Sequence, residues 1–361
     1  MLQHALFFAL GLIALVIGAE LLVRGASRLA LSMGVSPLVV GLTVVAFGTS
    51  APELAVSVGA ALGGNPDLAI GNVVGSNIAN VLLILGISAL ITPLLVNEQI
   101  IRQEVPIMLG ASVLFVVMAL DGTVSRLEGG ALFALVVGYT AFLIRQSRRA
   151  SQALNEEYAA EMPPDSGWDR HWSVQAALVA AGLGALVLGA EWLVESAVVF
   201  ARAFGVSDLV IGLTVVAIGT SMPEIATSIV AALRGQRDIA VGNVVGSNVF
   251  NIFAVIGASG LVTSGGIPVP EAARALDLWV MLAVALACVP IMTTGSEISR
   301  WEGGVFIGYY AAYTAWLVLS AQHHAIAPAF ASAMLGYVMP LTVIALIVSL
   351  MRHQNREGNG G

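Results

Sequence analysis

Apolar runs separated by short polar stretches recur along the whole chain, at residues 3–24, 37–62, 67–92, 103–120, 127–145, 173–202, 208–233, 238–262, 275–293, 301–320 and 326–351. Each approaches or exceeds the roughly 20 helical residues that cross the hydrocarbon of a bilayer. Eleven such segments predict an all-α polytopic membrane protein. Composition agrees, because a chain that is 58% hydrophobic and 10% charged cannot cover a soluble domain of this size with polar surface. Periodicity alone leaves residues 5–19 readable as the apolar core of a cleaved signal peptide. Ala5 to Glu20 (ALFFALGLIALVIGAE) aligns without gaps with Ala176 to Glu191 (AALVAAGLGALVLGAE), so the first segment is expected to belong to the mature fold.

That match opens a duplication at a constant offset of 171 residues. Leu38 to Leu62 (LVVGLTVVAFGTSAPELAVSVGAAL) recurs as Leu209 to Leu233 (LVIGLTVVAIGTSMPEIATSIVAAL), and Gly71 to Asn77 (GNVVGSN) is repeated unchanged at Gly242 to Asn248. Ser125 to Gly130 (SRLEGG) is echoed by Ser299 to Gly304 (SRWEGG), each a Ser-x-x-Glu helix start. Five spans per unit is odd, so the second copy enters the membrane from the opposite side. The predicted architecture is two inverted-topology repeats of five transmembrane helices, residues 1–145 and 173–320, plus an extra C-terminal helix and tail in 321–361. The polar, Pro-containing stretch 146–172 reads as a cytoplasmic linker too short for a regulatory domain.

The net charge of −7 says little, but charge placement says more. The chain has no lysine. With the N-terminus outside, Arg24, Arg28, Arg102, Arg145, Arg148, Arg149, Arg170, Arg234, Arg237, Arg300, Arg352 and Arg356 fall inside, and only Arg126, Arg202 and Arg274 fall outside. The positive-inside rule therefore predicts an N-out, C-in protein. No nucleic-acid partner is expected. The lone Cys288 implies no disulfide, and His4, His171, His323, His324 and His353 lie at termini or in loops, away from any buried relay or histidine metal site.

Carboxylates, hydroxyls and amides interrupt the second, third, seventh and eighth segments. A carboxylate inside a hydrocarbon span costs several kcal/mol unless paired or hydrated, which makes Glu53 and Glu224 the pivotal pair. Pro52 and Pro223 precede them and cannot donate to the carbonyls of Gly48 and Gly219. A break there presents freed carbonyls beside Thr49, Ser50 and Glu53 in one half and Thr220, Ser221 and Glu224 in the other. Asn72, Ser76 and Asn80 form a polar stripe with Asn77 nearby, and Asn243, Ser247, Asn248 and Asn251 repeat it. All these donors are hard oxygens, suited to Na+, Ca2+ or Mg2+ rather than zinc or copper. Four carboxylate oxygens and one backbone carbonyl from each half reach about six ligands, the lower end of what Ca2+ takes.

The paired GLTVVAFGTSAPE and GNVVGSNIAN, with GLTVVAIGTSMPE and GNVVGSNVFN, resemble the two α-repeats of the cation/Ca2+ exchanger superfamily, most closely its prokaryotic Na+/Ca2+ exchangers, over about 320 residues. The resemblance implies a secondary antiporter with no cofactor. Glu53 and Glu224 would bind Ca2+ with the Thr49 and Thr220 carbonyls. Sodium would use Ala46, Thr49, Ser50 and Ser76 toward one side and Ala217, Thr220, Ser221 and Ser247 toward the other, with Asn80 and Asn251 completing the centre. It further implies alternating access by sliding of the first and sixth helices. Asn251 stands where many such exchangers carry Asp, which leaves H+ open as the driving ion. The segment 326–351 exceeds the ten spans usual in prokaryotic members.

Blander readings compete with this one. Glu53 and Glu224 could be a structural pair, and the asparagines and serines could be interhelical hydrogen bonds. Thr43 and Thr214 read as packing, and Glu20 and Glu191, placed near helix ends, as interfacial residues. An intramembrane enzyme lacks a placed nucleophile or histidine, and a passive channel would need no counter-ion.

Overall fold

The computed structural model describes residues 2–149, 171–204, 217–322, 324–340 and 342. Much of the linker, the start of the seventh predicted segment and most of 326–351 lie outside the described residues. Helices account for nearly all of the rest: α1 Leu2–Met33, α2 Pro37–Thr49, α3 Ala51–Leu62, α4 Pro66–Ile91, α5 Ile100–Ala119, α6 Arg126–Arg149, α7 Trp172–Ala203, α8 Ala217–Thr220, α9 Met222–Leu233, α10 Arg237–Val262, α11 Ala273–Thr293, α12 Arg300–Ala321 and α13 Ala327–Ala333. Among the described residues eight helices are long and apolar enough to cross a membrane, nine when the bent pair α2–α3 is one span.

Local chemistry sets the helix starts. Ser36 caps α2, its hydroxyl accepting from Val39 N at 3.3 Å, and Pro37 follows where a missing N–H costs nothing. The two Ser-x-x-Glu signals form reciprocal boxes. Glu128 accepts from Ser125 N at 2.8 Å while Ser125 accepts from Glu128 N at 3.3 Å, and Ser299 with Glu302 does the same at the head of α12. One boundary differs from the sequence expectation: α1 continues to Met33 instead of ending near residue 24, whereas α7, Trp172–Ala203, agrees with the expected 173–202. Glu20 and Glu191 are therefore interior helical residues and not near helix ends.

The first helix of each repeat packs on its counterpart. A Cβ added to Gly11 would lie 2.8 Å from the Gly189 carbonyl, one on Gly18 2.8 Å from Leu186 N, and one on Gly25 2.9 Å from Val179 N. Contacts that descend one helix while ascending the other make α1 and α7 antiparallel, as inverted repeats require. The exits between spans are tied the same way. β1 Leu94–Leu95 pairs antiparallel with β4 Glu297–Ile298, and β2 Thr123–Val124 with β3 Ile267–Pro268, so each short strand joins a loop of one repeat to a loop of the other.

Inside this frame α10 is buried along its whole apolar length and α4 over most of it, whereas α12 is mostly half-buried, with only Glu302, Gly303 and Phe306 fully buried. Small residues permit that centre. A Cβ on Gly246 would meet Ala46 Cβ and the Leu42 carbonyl, each at 2.8 Å, so α10 touches the backbone of α2.

Close backbone contact between α1 and α7 yields a paired expectation. Gly182→Val, whose Cβ would sit 2.6 Å from Leu22 N, should lower the thermal midpoint of detergent-purified protein by several degrees. Gly184→Val, on the same helix with nothing described within 4 Å, should leave it nearly unchanged. Equal midpoints for the two variants would contradict the packing.

Candidate cation site

The second span of the first repeat is broken. Helix α2 ends at Thr49, Ser50 occupies a turn at φ −81°, ψ 6°, and α3 restarts with a 44° change of direction. Pro52 has no N–H for the Gly48 carbonyl, and regular pairing resumes with Leu54 N donating to the Ser50 carbonyl at 3.0 Å. The second repeat copies it: Ser221 sits at φ −87°, ψ 9° between α8 and α9, and Ile225 N donates to the Ser221 carbonyl at 3.0 Å. Glu53 and Glu224 thereby fall in the first turns of α3 and α9, where unpaired N–H groups and the helix dipole favour negative charge.

Both carboxylates are buried, at 0% and 1% exposure. Each accepts a hydroxyl from the other repeat, Ser221 Oγ to Glu53 Oε1 and Ser50 Oγ to Glu224 Oε1, both at 3.1 Å. Ser76 Oγ adds a 3.5 Å bond to Glu53 Oε1 and stands 3.0 Å from Ser221 Oγ. The crossed serines bring the two halves to one level. Asn80 and Asn251 each open a π-helical turn, Asn80–Leu85 and Asn251–Ile256; such wide turns often mark functional sites in helices. Their amide nitrogens are committed to the opposite repeat, Asn80 Nδ2 to Asn248 Oδ1 and Asn251 Nδ2 to Asn77 Oδ1, both at 3.0 Å.

Four acceptors are left over. Glu53 Oε2, Glu224 Oε2, Asn80 Oδ1 and Asn251 Oδ1 are buried with no hydrogen-bond donor among the described residues, and Ser247 Oγ is also buried and unpartnered. One such oxygen costs about 1–3 kcal/mol. Two equivalent pairs of them, both including a carboxylate, constitute a hard-oxygen donor set complementary to a cation.

The sequence-predicted residues divide by their bonds. Glu53, Glu224, Ser50, Ser221 and Ser76 are linked by the serine hydroxyls, Asn80 and Asn251 bond to Asn248 and Asn77, and the threonine hydroxyls bond to two further asparagines. Thr49 Oγ1 donates to Asn243 Oδ1 and Thr220 Oγ1 to Asn72 Oδ1, each at 3.1 Å. Ala46 is buried and its carbonyl receives Ser50 N at 3.0 Å, and Ala217 is the first described residue of α8. Sequence reasoning missed Ser57 and Ser228. They accept from Asn72 Nδ2 and Asn243 Nδ2 at 3.0 Å, fixing the amides that hold the threonines. Their signal was present, one helical turn after each glutamate at the repeat offset. Glu20 is bound by Arg234 through two bonds, Nε at 3.0 Å and a terminal nitrogen at 2.7 Å. Thr214 lies outside the described residues.

Comparison with known proteins places these features in a family. A family model described as "Sodium/calcium exchanger protein" matches residues 3–145 and 174–319. The inner membrane protein YrbG of Escherichia coli is 40% identical over 292 residues, covering 79% of this chain and 87% of YrbG. The sodium/calcium exchanger MaX1 of Methanosarcina acetivorans is 37% identical over 340 residues, covering 85% and 96%. A solved structure of the sodium-calcium exchanger NCX_Mj, soaked with Na+ and Sr2+, superposes with a TM-score of 0.73 at 31% identity, covering 87% of this chain and 98% of that one.

Two buried acids with spare oxygens behave differently from a structural pair when no cation is supplied. In cation-free detergent, Glu53→Gln should leave the thermal midpoint unchanged or raise it, because it removes one uncompensated buried charge while Ser221 can still donate to the side-chain carbonyl. A clear fall in the midpoint of the cation-free protein would show that the pair is structural.

Proposed function

We propose that this chain, which belongs to the sodium/calcium exchanger family and is a multi-pass membrane antiporter of cations, exchanges Ca2+ for Na+ at the site built around Glu53 and Glu224. The observation that carries the reading is the set of four buried, donorless oxygens, two from each repeat. Two glutamates supply −2, the charge that balances one Ca2+ in a low-dielectric interior. With the carbonyls of Thr49 and Thr220 they approach the six or more oxygens Ca2+ takes. Sodium ions use the flanking groups, Ala46, Thr49, Ser50 and Ser76 on one side and Ala217, Thr220, Ser221 and Ser247 on the other, with Asn80 and Asn251 at the centre.

Coupling follows from charge. An empty site leaves two carboxylates uncompensated in an apolar interior, which is costly, so Ca2+ or Na+ must occupy it before the site can be re-exposed to the other side. The antiparallel α1–α7 unit is the moving part. It is packed on itself through glycines and borders both helix breaks, with Gly48 against Leu183 and Gly219 against Val194. Sliding of that unit past the breaks opens first one face and then the other. The arginine distribution orients the cycle with the N-terminus outside and the linker and tail in the cytoplasm.

Three outcomes are expected. Ca2+ uptake into Na+-loaded proteoliposomes should exceed uptake into choline-loaded ones at equal pH, and Glu53→Gln or Glu224→Gln should cut it by about a hundredfold or more, the scale of a buried charge left without its counter-charge. Uptake driven by a pH gradient alone would favour Ca2+/H+ exchange, and Ca2+ flux with no counter-ion a channel. Asn251→Asp should change the ion preference while the protein still inserts; an unaltered ion profile would remove residue 251 from selectivity. Cysteines introduced at Arg148 and after Met351 should resist impermeant label applied from outside, and labelling of the second site alone would mean that residues 326–351 do not span.

A further inference from the structure

We infer that Met108 and Met281 are positioning residues of the cation site, fixing through Asn248 and Asn77 which end of the Asn80 and Asn251 amides faces the ion. The inference rests on the cation-binding reading above. An asparagine amide has two ends of nearly the same shape and opposite character: its oxygen accepts a cation and its NH2 group repels one. Whether Asn80 and Asn251 help or hinder binding therefore depends on what holds them the right way round.

The two repeats answer with the same chain of contacts. Asn80 points its NH2 group at Asn248 Oδ1, 3.0 Å away, which leaves its own oxygen to the site. Asn248 can present that oxygen only if its NH2 group turns the other way, where Met108 Sδ lies at 3.4 Å. In the other half Asn251 Nδ2 reaches Asn77 Oδ1 at 3.0 Å, and Asn77 Nδ2 turns to Met281 Sδ at 3.7 Å and to the Asn248 carbonyl at 3.4 Å. A thioether only accepts, so it receives an NH2 group and gives nothing to a carbonyl oxygen; a flipped Asn248 or Asn77 would lose its partner there.

Burial sharpens this choice. Met108 and Met281 are 0% and 2% exposed, which leaves no bulk water to replace the sulfur. They come from α5 and α11, helices that supply none of the oxygens of the site, and they occupy corresponding places in the two repeats. Leucine would fill the same space but could not tell the two ends of an amide apart. Asn77 has a second acceptor in the Asn248 carbonyl, so the sulfur matters more at Met108.

The test measures half-saturating external Ca2+ and maximal rate in Na+-loaded proteoliposomes. Met108→Leu should raise the half-saturating Ca2+ about three- to tenfold with the maximal rate within about twofold, the size expected for one lost neutral hydrogen bond. Met281→Leu should raise it less, and Met108→Gln, which restores an acceptor at similar length, should return it to within about twofold of the unaltered protein. Adding Met108→Leu to Asn248→Ala should cause no further rise, since the methionine acts through that amide. An unchanged half-saturation in Met108→Leu, or effects of Met108→Leu and Asn248→Ala that add in full, overturns the positioning role while leaving the proposed exchange intact. An unaltered protein without saturable Ca2+ exchange removes both.

Discussion

Two carboxylates confined to an apolar helical interior, each with one oxygen lacking a donor among the described residues, set the terms for the rest of the molecule. A charge of that kind is tolerated only where surrounding groups hold it and a counter-charge can reach it. The helix breaks, crossed serines and glycine-paired outer helices all serve that end. Helices α2 and α8 end at Thr49 and Thr220, and Pro52 and Pro223 stand in the first turns of the helices that restart, one residue before each glutamate. Ser50 and Ser221 give each acid a hydroxyl from the other half. Gly246 lets α10 lie against the backbone of α2 so that those bonds can form.

The symmetry of the two repeats is close, and its defects are informative. Ser76 bonds Glu53 while its counterpart Ser247 is buried without a partner among the described residues, so the two faces of the site differ although their sequences match. On the outer surface, Arg234 clamps Glu20 of α1 to the end of α9. At the equivalent place in the first repeat stands Gly63, which has no side chain with which to clamp Glu191.

Much of this was legible in the sequence because the strongest signals are those of solvent and repetition. Span positions came from apolar length, and for the spans described in full they agree with the helices to within about three residues, except where α1 runs on to Met33. Membrane exit and helix end are different events, and hydropathy reports only the first. The glutamates were legible because a charge in hydrocarbon is conspicuous, and the breaks because proline has one chemical meaning in a helix. The direction of the neutral side chains was not legible. The threonine hydroxyls turned to Asn72 and Asn243, the π-helical turns at Asn80 and Asn251 carry no local signature, and Ser57 and Ser228 look like any small residue on an apolar helix. Those details depend on which helix faces which, which only the assembled bundle decides.

The crossed serine bonds also bear on how the chain is made. Glu53 precedes its cross-repeat donor Ser221 by 168 residues. At ordinary rates of synthesis the first repeat waits about ten to thirty seconds before that serine exists. During this interval the acid must be kept from lipid by the helices already inserted or by the insertion machinery itself, and the first repeat on its own is an incomplete product. Biogenesis thus has a vulnerable window that closes only when the second repeat threads in from the opposite side, and a ribosome stalled between the repeats would leave a membrane segment carrying a carboxylate without its cross-repeat donor, a mark by which quality control could recognise it.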